Sequence, residues 1–294
     1  MTKTLAVILL SCGGLSLLAA QTPPSEYNVL LRSYREGEKL TYRMKGINED
    51  WHYEIRADGI VKKDSDGTYF EEYGWSDLIS DKQKAVLSPA SLNFRQQVTL
   101  DPKRNPGFPN LSQVDPKLIG PITDLMTFYS DLWLSVKTDK LAHSGDHFYF
   151  KHSTPNSWAD GTYTLTDEDS IDFDLTLKDV NRSNNTATVI VRHVPPEKPE
   201  IRLPADWMSK PVADTPNNWV QLTKTKSGKY LAAVGKETFD VEIRVSLADG
   251  KILSGSIDNP VETTERECED AALTKCGDPR PHGIRRQIEI SLEH

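Results

Sequence analysis

The chain has 294 residues, with 35 Lys and Arg against 43 Asp and Glu for a net charge of −8, and it carries 6 Trp, 10 Tyr and 8 Phe. That acidic balance argues against non-specific nucleic-acid binding and against docking on anionic lipid headgroups, both of which need a Lys/Arg-rich footprint. The length admits one large β domain or two small ones, with a core that needs no extra staples.

Residues 1–20 read as a secretory signal peptide. Lys3 precedes the apolar run Leu5-Ala6-Val7-Ile8-Leu9-Leu10, and small residues lead to Gln21. The expectation is an exported protein, periplasmic or extracellular, beginning near Gln21. Leu9-Leu10-Ser11-Cys12 also resembles a bacterial lipoprotein processing site, which would anchor the chain through Cys12 instead. Past residue 20, no stretch approaches the roughly 18 apolar residues of a spanning helix.

Residues 21–37 form a Pro-containing spacer in which Ser25 is placed to cap a short helix bearing Tyr27, Leu30, Leu31 and Tyr34 on one face. From 38 to 294 the pattern is a single β-rich domain. Leu40, Tyr42 and Met44, then Trp51, Tyr53 and Ile55, alternate with polar residues. Asp58-Gly59 and Asp66-Gly67 stand where hairpin turns are expected. A strand over about 94–100 and a Pro-rich loop from Asp101 to Pro116 follow. The spacing of Ile122, Leu125, Met126, Tyr129, Leu132, Trp133 and Val136 predicts one main helix over about 121–136, with Pro121 in its first turn and Asp124 favouring the helix dipole. Phe128 and Leu134 lie off that stripe, so the helix lies across a hydrophobic surface.

Beyond Asp146 the chain reads almost wholly as strand, clearest at Ile171–Leu177 and Phe239–Leu247, with Asp249-Gly250 as a turn. A Pro-rich loop at 195–216 carries Trp207 and Met208 and interrupts the ladder, since proline cannot donate to a sheet. Val261–Cys268 and Ile284–Leu292 are read as the last two strands, with Arg285-Arg286 as scattered positives on a strand edge. Cys268 and Cys276, an even pair in an exported chain, predict a disulfide pinning the insertion 268–276. The fold class expected is mainly β: a curved antiparallel meander, an open or half barrel, with one main helix packed on it.

Chemistry-bearing patterns are thin. Of the histidine cluster only His143, Asp146 and His147 are spaced to converge on a metal, but Ser144-Gly145 reads as a turn and the expectation is no metal. Asp167-Glu168-Asp169, with Asp172 and Asp174, and Asp64-Ser65-Asp66 lack the glycine and glutamate of a calcium loop. Ser254-Gly255-Ser256 lacks a nucleophile elbow, and Asp214-Thr215 runs into Pro216. No catalytic residue and no cofactor are assigned.

Tyr34-Arg-Glu-Gly37-Glu-Lys-Leu40-Thr-Tyr42 resembles the opening strand of uncharacterised exported bacterial β proteins, which are similar to the half-barrel periplasmic lipoprotein carriers. The resemblance implies a concave side that binds acyl chains. On that basis the leading expectation is a non-enzymatic envelope protein that binds or carries a lipid or other apolar ligand, with Phe128, Trp133, Trp207 and Met208 lining or covering the groove. One alternative is a structural or interaction module with a filled core and an envelope protein as partner. A polysaccharide hydrolase, resting on acidic pairs alone, is the other.

Overall fold

The computed structural model describes residues 28–48, 51–152, 171–194, 205–214, 217–225 and 227–293. Residues 1–20 with Cys12, the acidic run 167–169 and residues 195–204 and 215–216 of the Pro-rich loop lie outside them. The strands are β1 (Lys39–Asn48), β2 (Trp51–Lys63), β3 (Tyr69–Ser80), β4 (Gln83–Lys84), β5 (Gln96–Val98), β6 (His147–His152), β7 (Ile171–Asn181) and β8 (Thr186–Val194). They continue as β9 (Trp219–Lys224), β10 (Tyr230–Glu237), β11 (Phe239–Ser246), β12 (Ile252–Cys268) and β13 (Arg280–Leu292). Helix α1 (Pro89–Asn93) is short and α2 (Pro116–Lys137) is the main helix; Asp206–Ser209 forms one 3-10 turn.

Among the described residues all thirteen strands join one antiparallel sheet, open at both ends, in the order β4-β3-β2-β1-β13-β12-β11-β8-β7-β6, with β5 added to β3 and β10-β9 branching from β12. The sheet wraps around α2, which touches β5 near one end of this order and β8 and β11 towards the other. The first two strands bury every second residue, Leu40, Tyr42 and Met44 on β1 and Tyr53, Ile55 and Ala57 on β2, as period-two alternation dictates when only one face meets a core.

A fork divides the sheet. β10 and β11 are separated only by Thr238 and hold one register against β12, with Glu237 opposite Val261 and Asp240 opposite Asp258. Pro260 fits at this junction because it lacks only a donor; its carbonyl accepts from the Thr238 N–H at 3.0 Å. The buried Asn259 amide donates to the Thr238 carbonyl and to Glu237 Oε1. On one side of the fork β11, β12, β13 and β1 close over α2. On the other, β9, β10 and the distal halves of β12 and β13 form a small layer with its own apolar cluster of Met208, Val220, Leu222, Ala232, Val234 and Leu273. The Cys268–Cys276 disulfide closes the far end of that layer.

Several expectations need correction. Residues 28–37 form turns and an extended strap, not a helix, because Leu30, Arg32 and Tyr34 are drawn separately into the interior. Asp58-Gly59 is mid-strand: Gly59 faces Tyr73, whose ring would lie 2.3 Å from any Cβ there, just as Gly46 makes room for Tyr53. Thus the glycine serves ring packing, while Asp66-Gly67 does turn, with Gly67 at φ 89°. Helix α2 begins five residues before the expected start, with Pro116 in the first turn and Pro121 inside. The strand expected at 94–100 shrinks to β5, and residues 252–268 are one strand across Pro260. Nor is Arg286 on an edge, since there β13 pairs with both β1 and β12, whereas among the described residues Arg285 pairs with β12 alone.

Candidate functional site

Helix α2 carries an apolar stripe too wide for a surface helix, and the fold uses all of it: from Leu118 to Val136 no residue is exposed. Phe128 is fully buried against Gly255, where an added Cβ would meet its ring at 2.7 Å. Yet polar residues sit on this helix among the apolar ones: Thr123 and Ser135 bond to carbonyls of the helix itself, while Asp124, Tyr129 and Asp131 reach beyond it. Burying them demands partners.

Tyr129 meets the first group. Its hydroxyl and that of Tyr73 both donate to Glu71 Oε2, the Tyr73 bond at 2.8 Å, and the two hydroxyls are 2.8 Å apart. Glu71 Oε1 accepts from Arg32 Nε at 3.1 Å. The Arg32 side chain is 0% exposed and also reaches Glu38 (2.8 Å) and the Ser33 carbonyl (2.8 Å), while its guanidinium lies over the Tyr34 ring. Burial raises the Tyr73 and Tyr129 hydroxyls well above the ordinary tyrosine value, reinforced by the Glu71 charge, so both stay protonated donors. Burial pulls Arg32 down, but Glu71 and Glu38 outweigh it and hold the guanidinium charged. The strap is thereby tied through β3 to the helix.

Asp124 forms the second group with Tyr53, which donates at 2.6 Å, and with Arg286. Burial, then the Asp124 charge, raises Tyr53. Asp131 forms the third with His193 Nε2 at 3.0 Å, the imidazole stacked on Phe239 and edge-on to Phe173. Near both lies Glu237, whose carboxyl is raised by burial against the lowering effect of the Asn259 hydrogen bond. The helix backbone is held as well: Asn28 donates to the Val136 carbonyl and Gln96 to that of Ile122.

The four residues expected to share a groove do not meet. Phe128 and Trp133 belong to the main core, Trp133 at 7% exposure and donating its indole N–H to the Asp101 carbonyl. Trp207 and Met208 strap the small layer instead, Trp207 hydrogen-bonded to the Leu273 carbonyl beneath Arg266. His143 faces Asp146 while His147 pairs with Asp174 across β6 and β7, so they turn apart, and among the described residues no three His, Cys, Asp or Glu side chains converge on a metal position. Sequence reasoning missed Arg32, Glu71, Asp131 and His193. The available signal was Asp124 and Asp131, seven apart on the helix and so on the same face as the apolar stripe.

The outer surface carries open clefts. One of about 420 Å³ runs along β5 and the loop after it, lined by Phe94, Arg95, Gln97, Arg104 and the 65% exposed Phe108. Another, of about 200 Å³, lies on the small layer. Comparison with protein-family models, with curated proteins and with solved structures gives no match.

Proposed function

We propose that the protein is an exported, non-catalytic binding module in which the wrapped sheet and α2 form a closed scaffold and the outer surfaces make the contacts. The observation that carries this reading is the encasement of α2: the concave face that a carrier would offer to an acyl chain is occupied by Phe128, Leu125, Leu132 and Trp133, and three buried polar groups fix the helix there. The acidic side chains that hold α2, Glu71, Asp124 and Asp131, serve as clamps: each is spent on an Arg, His or Tyr partner instead of facing a cleft with a second carboxylate. Export rests on the apolar leader 1–20, and a disulfide accords with an oxidising compartment.

The test is solvent extraction and mass spectrometry of protein purified without detergent from its native compartment. The scaffold reading expects no lipid in stoichiometric amount. A stoichiometric acyl lipid would overturn it in favour of a carrier whose helix leaves the sheet.

A further inference from the structure

On the small layer the strands alternate. Val220, Leu222, Ala232 and Val234 point inward beneath Met208, and the residues between them face the other way. There Trp219, Gln221, Thr223, Leu231, Glu265 and His282 line the cleft of about 200 Å³. Trp219 is half-buried, and the side chains of Trp219, Gln221, Thr223 and Glu265 form no hydrogen bond or ion pair with another described residue. So an indole face with its N–H, an amide, a hydroxyl and a carboxylate are all left unspent around one hollow.

The register lines up Trp219, Gly235, Thr263 and His282 across four strands, roughly 14 Å at about 4.8 Å per strand. No side chain stands between the indole and Thr263, and none fits: a Cβ on Gly235 would lie 1.9 Å from the Glu262 carbonyl oxygen. The groove therefore runs across the strands from the Trp219 platform to His282, over the buried Thr263, whose hydroxyl donates to the His282 carbonyl. A pyranose ring has a C–H face that stacks on indole and hydroxyls that both donate and accept, matching Trp219 and the polar groups beside it, with Leu231, Ala233 and Ile284 as the apolar remainder of the lining. A lipid tail would leave the polar groups unpaired. Glu265 in the lining and the net charge of −8 repel anionic polymers, while Glu267 and Glu269 beyond it are paired with Lys229.

We infer that this cleft binds a neutral oligosaccharide, with a pyranose stacked on Trp219 and its hydroxyls held by Gln221, Thr223 and Glu265; the inference rests on the reading of the protein as a non-catalytic binding module. The experiment titrates the full mature chain with cellotetraose, chitotetraose and maltotetraose, with tetragalacturonate as the anionic control, following indole fluorescence and heat. At least one neutral tetrasaccharide is expected to bind at millimolar concentration or below, and tetragalacturonate not to. Trp219→Ala should weaken binding by roughly tenfold or more and Gln221→Ala by a smaller factor, with circular dichroism unchanged. Should Trp219→Ala fail to fold, Gln221→Ala and Thr223→Ala carry the test. Absence of binding by all three neutral sugars, or binding that these variants leave unchanged, overturns the inference. Mass spectrometry of the recovered sugar separates the two readings: intact sugar agrees with both, whereas cleaved sugar with Trp219-dependent binding keeps the cleft and refutes the non-catalytic module.

Discussion

Replacing Arg32 with methionine removes a charge while nearly keeping the volume of the stem. Glu71, 1% exposed, would then be a buried carboxylate held only by the Tyr73 and Tyr129 hydroxyls, and the Ser33 carbonyl and Glu38 would each lose a donor. Breaking a buried pair from one side costs about 3–5 kcal/mol, because the remaining charge is stranded. At 2–4 °C per kcal/mol for a chain of this size, that lowers Tm by roughly 6–20 °C. Urea unfolding followed by both far-UV circular dichroism and tryptophan fluorescence gives the free energy. Lys178→Met is the control, since Lys178–Glu242 is a 2.8 Å pair with both side chains about half exposed, and its loss should cost under about 1 kcal/mol. Adding Glu71→Gln to Arg32→Met should recover part of the deficit by neutralising the stranded charge. A loss below about 1 kcal/mol for Arg32→Met would refute the claim that the strap is ionically tied to the core.

Glu237 gives a pH signature. Burial raises its carboxyl above the 4.5 of a free glutamate, so the folded state binds more protons than the unfolded one and stability falls as pH climbs through that interval. Glu237→Gln keeps an oxygen for the Asn259 amide and should raise the urea midpoint at pH 7, with the advantage gone below about pH 4. Gly255→Ala drives a methyl group into the Phe128 ring, 2.7 Å from its nearest carbon, and should cost about 1–3 kcal/mol in thermal or urea unfolding. Replacing Cys268 and Cys276 with serine opens a short loop worth about 2.6 kcal/mol in the chain-entropy treatment. Hydrogen exchange should place that loss on β9, β10 and residues 205–214, leaving α2 protected.

What the sequence revealed and what it hid follow from the range of each signal. Period-two alternation marked β1, β7 and β11, and the three-and-four spacing marked α2, because each pattern records burial on one face of a single element. Gly59 misled for a physical reason: beside an aspartate it signals a turn, but here it yields space to Tyr73 from the neighbouring strand. Residues 252–268 form one strand through Pro260 because the fork supplies a position where its missing donor is harmless. The polar clamps were illegible because the pairs that join separate elements, Arg32–Glu71, Glu71–Tyr129, Tyr53–Asp124, Asp131–His193 and Asp124–Arg286, lie 39 to 162 residues apart. Arg286 looked like an exposed basic residue beside Arg285; in the fold Arg285 pairs outside with Asp258 and Arg286 turns inward to Asp124. Trp133 and Phe128 were rightly read as facing an apolar surface, but sequence alone could not tell a helix covering an opening from one filling it.

That last distinction is the account's central claim, and native-state hydrogen exchange with urea titration tests it most directly. If α2 is part of the closed scaffold, its amides from Leu118 to Val136 exchange only through global unfolding, at the same free energy and urea dependence as those of β1, β12 and β13. Exchange of α2 through a lower-energy opening, while those strands stay protected, would contradict the account and show a helix that leaves the concave face.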